Sequence, residues 1–137
     1  ILSVPVREHP EAYSKHLKSM LEYGSKFPKQ QLIDLREKLV RAKSAIINLF
    51  DDIDFLATPT TPQMPFLHTK PAPFNQAEIT GLANISGVPA ISLPYGLAST
   101  GFPLSLQLMA PPYREAELID VAEELERIWG RLSLPVS

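Results

Sequence analysis

The groups on this chain that could attack a carbonyl or move a proton are hydroxyls, carboxylates and imidazoles; it has no cysteine. Ser86 stands beside Gly87, a position from which a turn can present a nucleophile. A serine nucleophile needs a base within hydrogen-bond reach, and no base neighbours it in sequence. The competing role for Ser86 is a local hydrogen bond at a helix end. Asp51, Asp52 and Asp54 could pair as general acid and base, or simply mark a charged helix end running into a strand. His9, His16 and His68 are scattered, without metal-ligand spacing. Thr58 and Thr60 follow a short apolar run. Their hydroxyls could face a substrate at the C-terminal end of a parallel strand, or bond the backbone of the turn. Met64, Phe66 and Leu67 could line an acyl pocket or cover the core. Asn84 could touch a ligand or fix the backbone between a helix and a strand. Gln107 could hold neighbouring strands together.

These groups need elements to position them. Pro10 to about Ser25 reads as a helix with Pro10 and Glu11 in its first turn and Gly24 as its stop. Pro28 to Phe50 reads as a long amphipathic helix. Its stripe of Leu32, Leu35, Leu39, Ala42, Ile46 and Leu49 recurs at helical spacing and requires a partner surface. The short apolar run Phe55–Thr58 predicts a strand ended by Pro59 and Pro62. Residues 61–74 form a proline-studded loop. Asn75 can cap a helix over 76–86, with Gly87 as a left-handed terminator. Ala90–Leu93 predicts a second strand, Gly101 a hairpin turn and Leu104–Met109 a third strand. Arg114–Trp129 predicts a last helix, with Leu118, Ala122, Leu125 and Trp129 on one side. Strand, helix, strand across residues 55–93 implies a right-handed parallel crossover. Three short strands make a poor independent sheet with unpaired edges.

The 137 residues suit one ordinary domain, and 45% hydrophobic with 20% charged residues is a globular composition. A net charge of −2 leaves no basic surface for a phosphate backbone, which argues against nucleic-acid binding. The lack of cysteine rules out a disulfide framework and suits a reducing compartment, so a cytoplasmic location is expected. No apolar run is long enough to span a bilayer, and ILSVPVREHP at the N-terminus lacks the form of a signal peptide. A first residue of Ile1 rather than Met reads as part of a longer polypeptide.

Two stretches resemble the C-terminal part of the amidase signature family of serine amidohydrolases. Leu56–Pro62, LATPTTP, is similar to the family's strand and T-P-T loop. Thr80, Asn84, Gly87, Pro89 and Ala90 stand where that family has a helix ending in N-L-A-G-L-P-A. Pro94 and Gly96 follow, and Gly101, Pro103, Leu106 and Gln107 match its hairpin, with Ser105 replacing the usual glycine. Tyr113, Glu115, Leu118, Ala122 and Glu126 match its final helix.

The resemblance implies a fold, a reaction and a gap. The expected class is α/β, a mixed sheet flanked by helices, as an incomplete C-terminal part of an amidase-signature-type fold. Residues 1–50 would be its helical segment and 51–137 a strand–loop–helix–strand–hairpin–helix unit. Such enzymes hydrolyse carboxylic amides with a serine nucleophile, a bridging serine and a lysine base, and need no metal or organic cofactor. Their paired serines lie in a Gly-Gly-Ser-Ser-Gly-type segment. This sequence has six isolated glycines and no Ser-Ser pair, so no catalytic residue is assigned on it. Its expected role is to complete the sheet and one wall of the substrate pocket, with Thr58, Thr60, Met64, Phe66 and Asn84 facing a small amide. The expected partner is the missing N-terminal amidase portion or a partner subunit, and neither nucleic acid nor membrane is expected. In the transfer-RNA amidation subunit of the family, an acidic residue that helps recognise glutamine precedes the Asn. The matching position is Ala77, with Glu78 next to it. One step on a helix turns a side chain by about 100°, which argues for a general amidase. The alternative is a non-catalytic binding or assembly module, including an amidotransferase-subunit-like piece, docking through its long helix.

Overall fold

The computed structural model describes residues 6 and 8–132. Most of the N-terminal stretch read against a signal peptide therefore lies outside the described residues. The chain divides into two compact units between Lys38 and Leu39.

The first expected helix is split. Pro10–Ala12 forms a single 3-10 turn, Tyr13 is extended, and α1 runs over Lys15–Ser25. The break has a cause: Ser14 is extended and its Oγ accepts from the Leu17 N–H at 3.2 Å. A serine that satisfies a free first-turn donor starts a helix rather than continuing one. Gly24 does not stop α1, which runs one residue past it.

Helix α2 covers Lys29–Leu49. It closes in tightened turns, Phe50 N–H to Ile47 O and Asp51 N–H to Asn48 O. Asp51 and Asp52 follow at the negative end of the helix dipole, where carboxylates are unfavourable and add nothing to a further turn. None of its residues is buried.

Three strands follow: β1 at Leu56–Pro59, β2 at Ala90–Leu97 and β3 at Pro103–Met109. Their order is β1-β3-β2, and β3 is antiparallel to both neighbours. The α/β class stands. β1 and β2 do run in the same direction, but β3 lies between them, so each described ladder is antiparallel. The hairpin from β2 places β3 there: Gly101 has φ 82°, and Ala98 and Phe102 close the turn with a 2.8 Å bond.

Proline placement agrees with this order. Pro59 and Pro94 lie in the outer strands, where a missing N–H need not break a ladder, and Pro103 opens the central one. The edge position also explains why β2 continues past Pro94, farther than the expected stop at Leu93. Its register slips between Pro94 and Gly96.

Helix α3 is short, Thr80–Ser86, and starts later than expected. Asn75 does not cap it. The chain before it instead makes turns closed by Gln76 N–H to Pro73 O and Glu78 N–H to Asn75 O. Gly87 ends α3 with φ 73°, its N–H bonded to Ala83 O, as a left-handed cap requires. Ala77 and Glu78 consequently precede the helix, and the helical rotation expected between them does not apply.

Helix α4, Glu115–Trp129, closes the core. Leu93 and Leu108 project from one sheet face onto Leu118 and Ala122, with Val121 and Leu125 beside them. The positions 118, 121, 122 and 125 form one helical stripe and 91, 93, 106 and 108 one face of a pleat. Each large side chain buried this way contributes roughly 1.5–3 kcal/mol before entropy is subtracted.

Candidate functional site

A cleft of about 650 Å³ opens where the loop after β1 meets the start of β3 and the end of β2. The loop is attached to the sheet through Thr60, whose N–H donates to Ser105 O at 3.1 Å. Beyond β1, Pro62 and Pro65 keep it out of any ladder. The Thr61 hydroxyl donates to Gln63 O at 3.0 Å and fixes the turn.

Thr60, Gln63, Met64, Phe66, Tyr95 and Leu104 give the cleft its character. His68 and Gln76 reach it as well. Three residues singled out from sequence, Thr60, Met64 and Phe66, thus come together there. Thr60 Oγ1 also shares a 2.7 Å hydrogen bond with Ser92 Oγ, so its hydroxyl already has one partner. Met64 and Phe66 are each 38% exposed, more than core side chains would be.

Thr58 and Asn84 lie elsewhere. Thr58 is half-buried, and its Oγ1 accepts from Gln107 Nε2 at 3.5 Å. That contact spans β1 and β3 and places Gln107, 4% exposed, in the strand-bridging role expected of it. Asn84 donates to Thr80 O at 3.1 Å, one turn back on its own helix. Its amide fixes local backbone.

The other chemical candidates resolve into structure. Ser86 is buried, and its Oγ donates to Leu82 O at 2.7 Å within α3. Asp54 makes an exposed ion pair with Arg114 at 3.8 Å. Such surface pairs contribute between zero and about 1 kcal/mol. Among the described residues, no three His, Asp or Glu side chains gather as a metal site.

Sequence reasoning missed Gln63 and Tyr95. Gln63 Nε2 is buried without a hydrogen-bond partner among the described residues. An unmet buried donor costs about 1–3 kcal/mol, and native proteins keep few of them. The signal was visible: a lone amide in a Pro-Gln-Met-Pro run has few neighbours able to satisfy it. Tyr95 is the residue skipped by the register slip of β2. A bulge re-aims a side chain. Tyr95 lines the cleft and also meets Trp129 edge to face at 5.8 Å between ring centres. The Pro-Tyr-Gly triplet marks that irregularity.

Three comparisons with known proteins bear on this arrangement. The family model described as Amidase matches residues 6–119. A glutamyl-tRNA(Gln) amidotransferase subunit of Wolbachia sp. subsp. Drosophila simulans (strain wRi) is 34% identical over 119 residues, covering 84% of this chain and 23% of that protein. The 2-amino-5-chloromuconic acid deaminase of Comamonas testosteroni is 37% identical over 107 residues, 71% of this chain and 23% of its own length. A crystal structure described as an amidase superposes with a TM-score of 0.76 over 91% of this chain and 31% of that one, at 21% identity. The last is a likeness of fold. The chain spans about a quarter of the length of the curated relatives it matches.

Proposed function

The chain belongs to the amidase family, and from that premise we propose that it is the C-terminal part of a carboxylic-amide hydrolase of the amidase signature type. In this reading it completes the sheet and supplies one wall of the substrate pocket, the cleft beside Thr60, Met64 and Phe66. The serine pair and lysine that break the amide bond come from polypeptide other than these residues. Thr58 and Asn84 serve that wall indirectly, one by holding β1 to β3 and the other by stiffening α3.

The observation that carries the reading is the sheet. It has three strands, β1 and β2 each form a ladder on one side only among the described residues, and the family fold it matches is much longer. Unpaired strand edges are a liability that proteins cover. Further strands of the same enzyme would cover them and bring the nucleophile to the cleft. Among the described residues no helix is long and apolar enough to cross a membrane.

Turnover provides the test. The purified 137-residue chain should hydrolyse no carboxamide. Supplied with a polypeptide carrying the Gly-Ser-Ser-Gly segment and lysine of a family member, it should support hydrolysis that a serine-to-alanine change in that partner abolishes. Hydrolysis by the chain alone, persisting when each of its serines is replaced by alanine, would overturn the assignment.

A further inference from the structure

Taking the cleft as part of a substrate pocket, as proposed above, we infer that it selects an uncharged amide with an apolar or aromatic body, and that the Gln63 side-chain amide reads a hydrogen-bond acceptor on that ligand.

The charge pattern comes first. Among the described residues no Lys, Arg, Asp or Glu lines the cleft, and His68 is its one basic side chain. An ammonium entering this cleft meets no counter-charge and a carboxylate meets only His68, so either sheds water at a cost that a neutral amide avoids. Free glutamine carries both charges and matches this wall poorly. A neutral amide carries neither.

The apolar surface fits the same ligand. Met64, Phe66 and Tyr95 stay 38%, 38% and 45% exposed although each is large enough to dominate a core. Aromatic rings give a flat ligand specific edge and face contacts. A methionine adapts to its outline. The cleft, about 650 Å³, is of the size that encloses small organic molecules.

Gln63 supplies the polar contact. It lines the cleft, and its Nε2 bonds to no described residue. Nε2 is buried at rest, and because the last torsion of a glutamine is broad and roughly two-fold, rotation about it can present the NH₂ to a carbonyl in the cleft. A ligand acceptor would then satisfy the unmet donor of the wall. Thr60, already bonded to Ser92, is a weaker candidate for that contact.

The test is direct binding to the 15N-labelled 137-residue chain, with benzamide as probe and benzoate and L-glutamine as comparisons. Benzamide should shift the amide signals of Thr60, Gln63, Met64, Phe66 and Tyr95 saturably, and the two charged probes should leave them in place. Gln63→Leu keeps the bulk and removes the donor. It should weaken benzamide roughly three- to tenfold, the worth of one neutral hydrogen bond, with the rest of the spectrum unchanged. Benzoate or glutamine binding as well as benzamide, shifts confined to another surface, or unaltered affinity in Gln63→Leu would each overturn the inference. Binding needs no catalytic serine, so a failure here leaves the turnover test of the hydrolase reading intact. A failure of turnover likewise leaves the binding result standing.

Discussion

The body built from β2, β3 and α4 and the long helix α2 both carry leucines at regular spacing, and they bury them to opposite degrees. Leu108 and Leu118 are 4% and 3% exposed; Leu35 and Leu39 are 41% and 51% exposed. Periodicity is therefore a statement about which face is apolar, and says nothing of whether this chain supplies the opposing surface. In the β–α body the two halves of the interface lie close in sequence and find each other. In α2 the stripe is just as regular, yet none of its residues is buried. A helix of this kind depends on propensity and i,i+4 contacts, which are individually small.

The largest effect should come from cutting the body. Leu108→Ala removes a buried side chain from the sheet–helix interface and should cost about 2–5 kcal/mol in urea unfolding of the chain. Leu39→Ala on α2 should stay within about 0.5 kcal/mol, the range of exposed positions. Comparable losses at the two sites would mean that α2 is covered in solution.

Much of this body was legible from sequence because its signals are local. Leu118, Ala122 and Leu125 show their stripe without any knowledge of the sheet. Gly87 announces a left-handed terminator and Gly101 a hairpin turn, and both have positive φ. The failures are equally specific. Asn75 has the residue type of a cap, but the turns around it, closed onto Pro73 O and Asn75 O, delay α3 to Thr80. The strand expected over Ala90–Leu93 stops before Pro94 because nothing in the sequence says that β2 is an edge. Of the cleft, Thr60, Met64 and Phe66 were legible as hydroxyl and apolar groups on a loop. Tyr95 was not, because its place depends on a register slip between two strands. Leu104 was not, because it reaches the cleft only through the hairpin's return.

The fold requires some glycines and merely tolerates others. Gly87, in the body, has φ 73° and ends α3; among the described residues nothing crowds it more closely than Lys43 Nζ at 3.8 Å. Gly87→Ala should therefore cost about 1–2 kcal/mol through backbone strain alone. Gly24 lies inside α1 with an open position for a Cβ. Gly24→Ala should stabilise that helix, by up to about 1 kcal/mol. Thermal unfolding of the two variants reads opposite signs. A loss at Gly24 would show that its surface is occupied in solution.

The smallest effect tests whether the body stores strain. Tyr113, in the turn before α4, has φ 68° and is 94% exposed. A bulky residue in the left-handed region is strained, and asparagine adopts that region with much less penalty. The ring makes almost no contact that its removal could lose. Tyr113→Asn should raise stability by about 0.5–1 kcal/mol, seen as a higher unfolding midpoint with an unchanged denaturant slope. A lower midpoint would mean that the ring is packed against something in solution. The turn into α4 would then be a contact surface, and the conformation of Tyr113 would be held by what covers it.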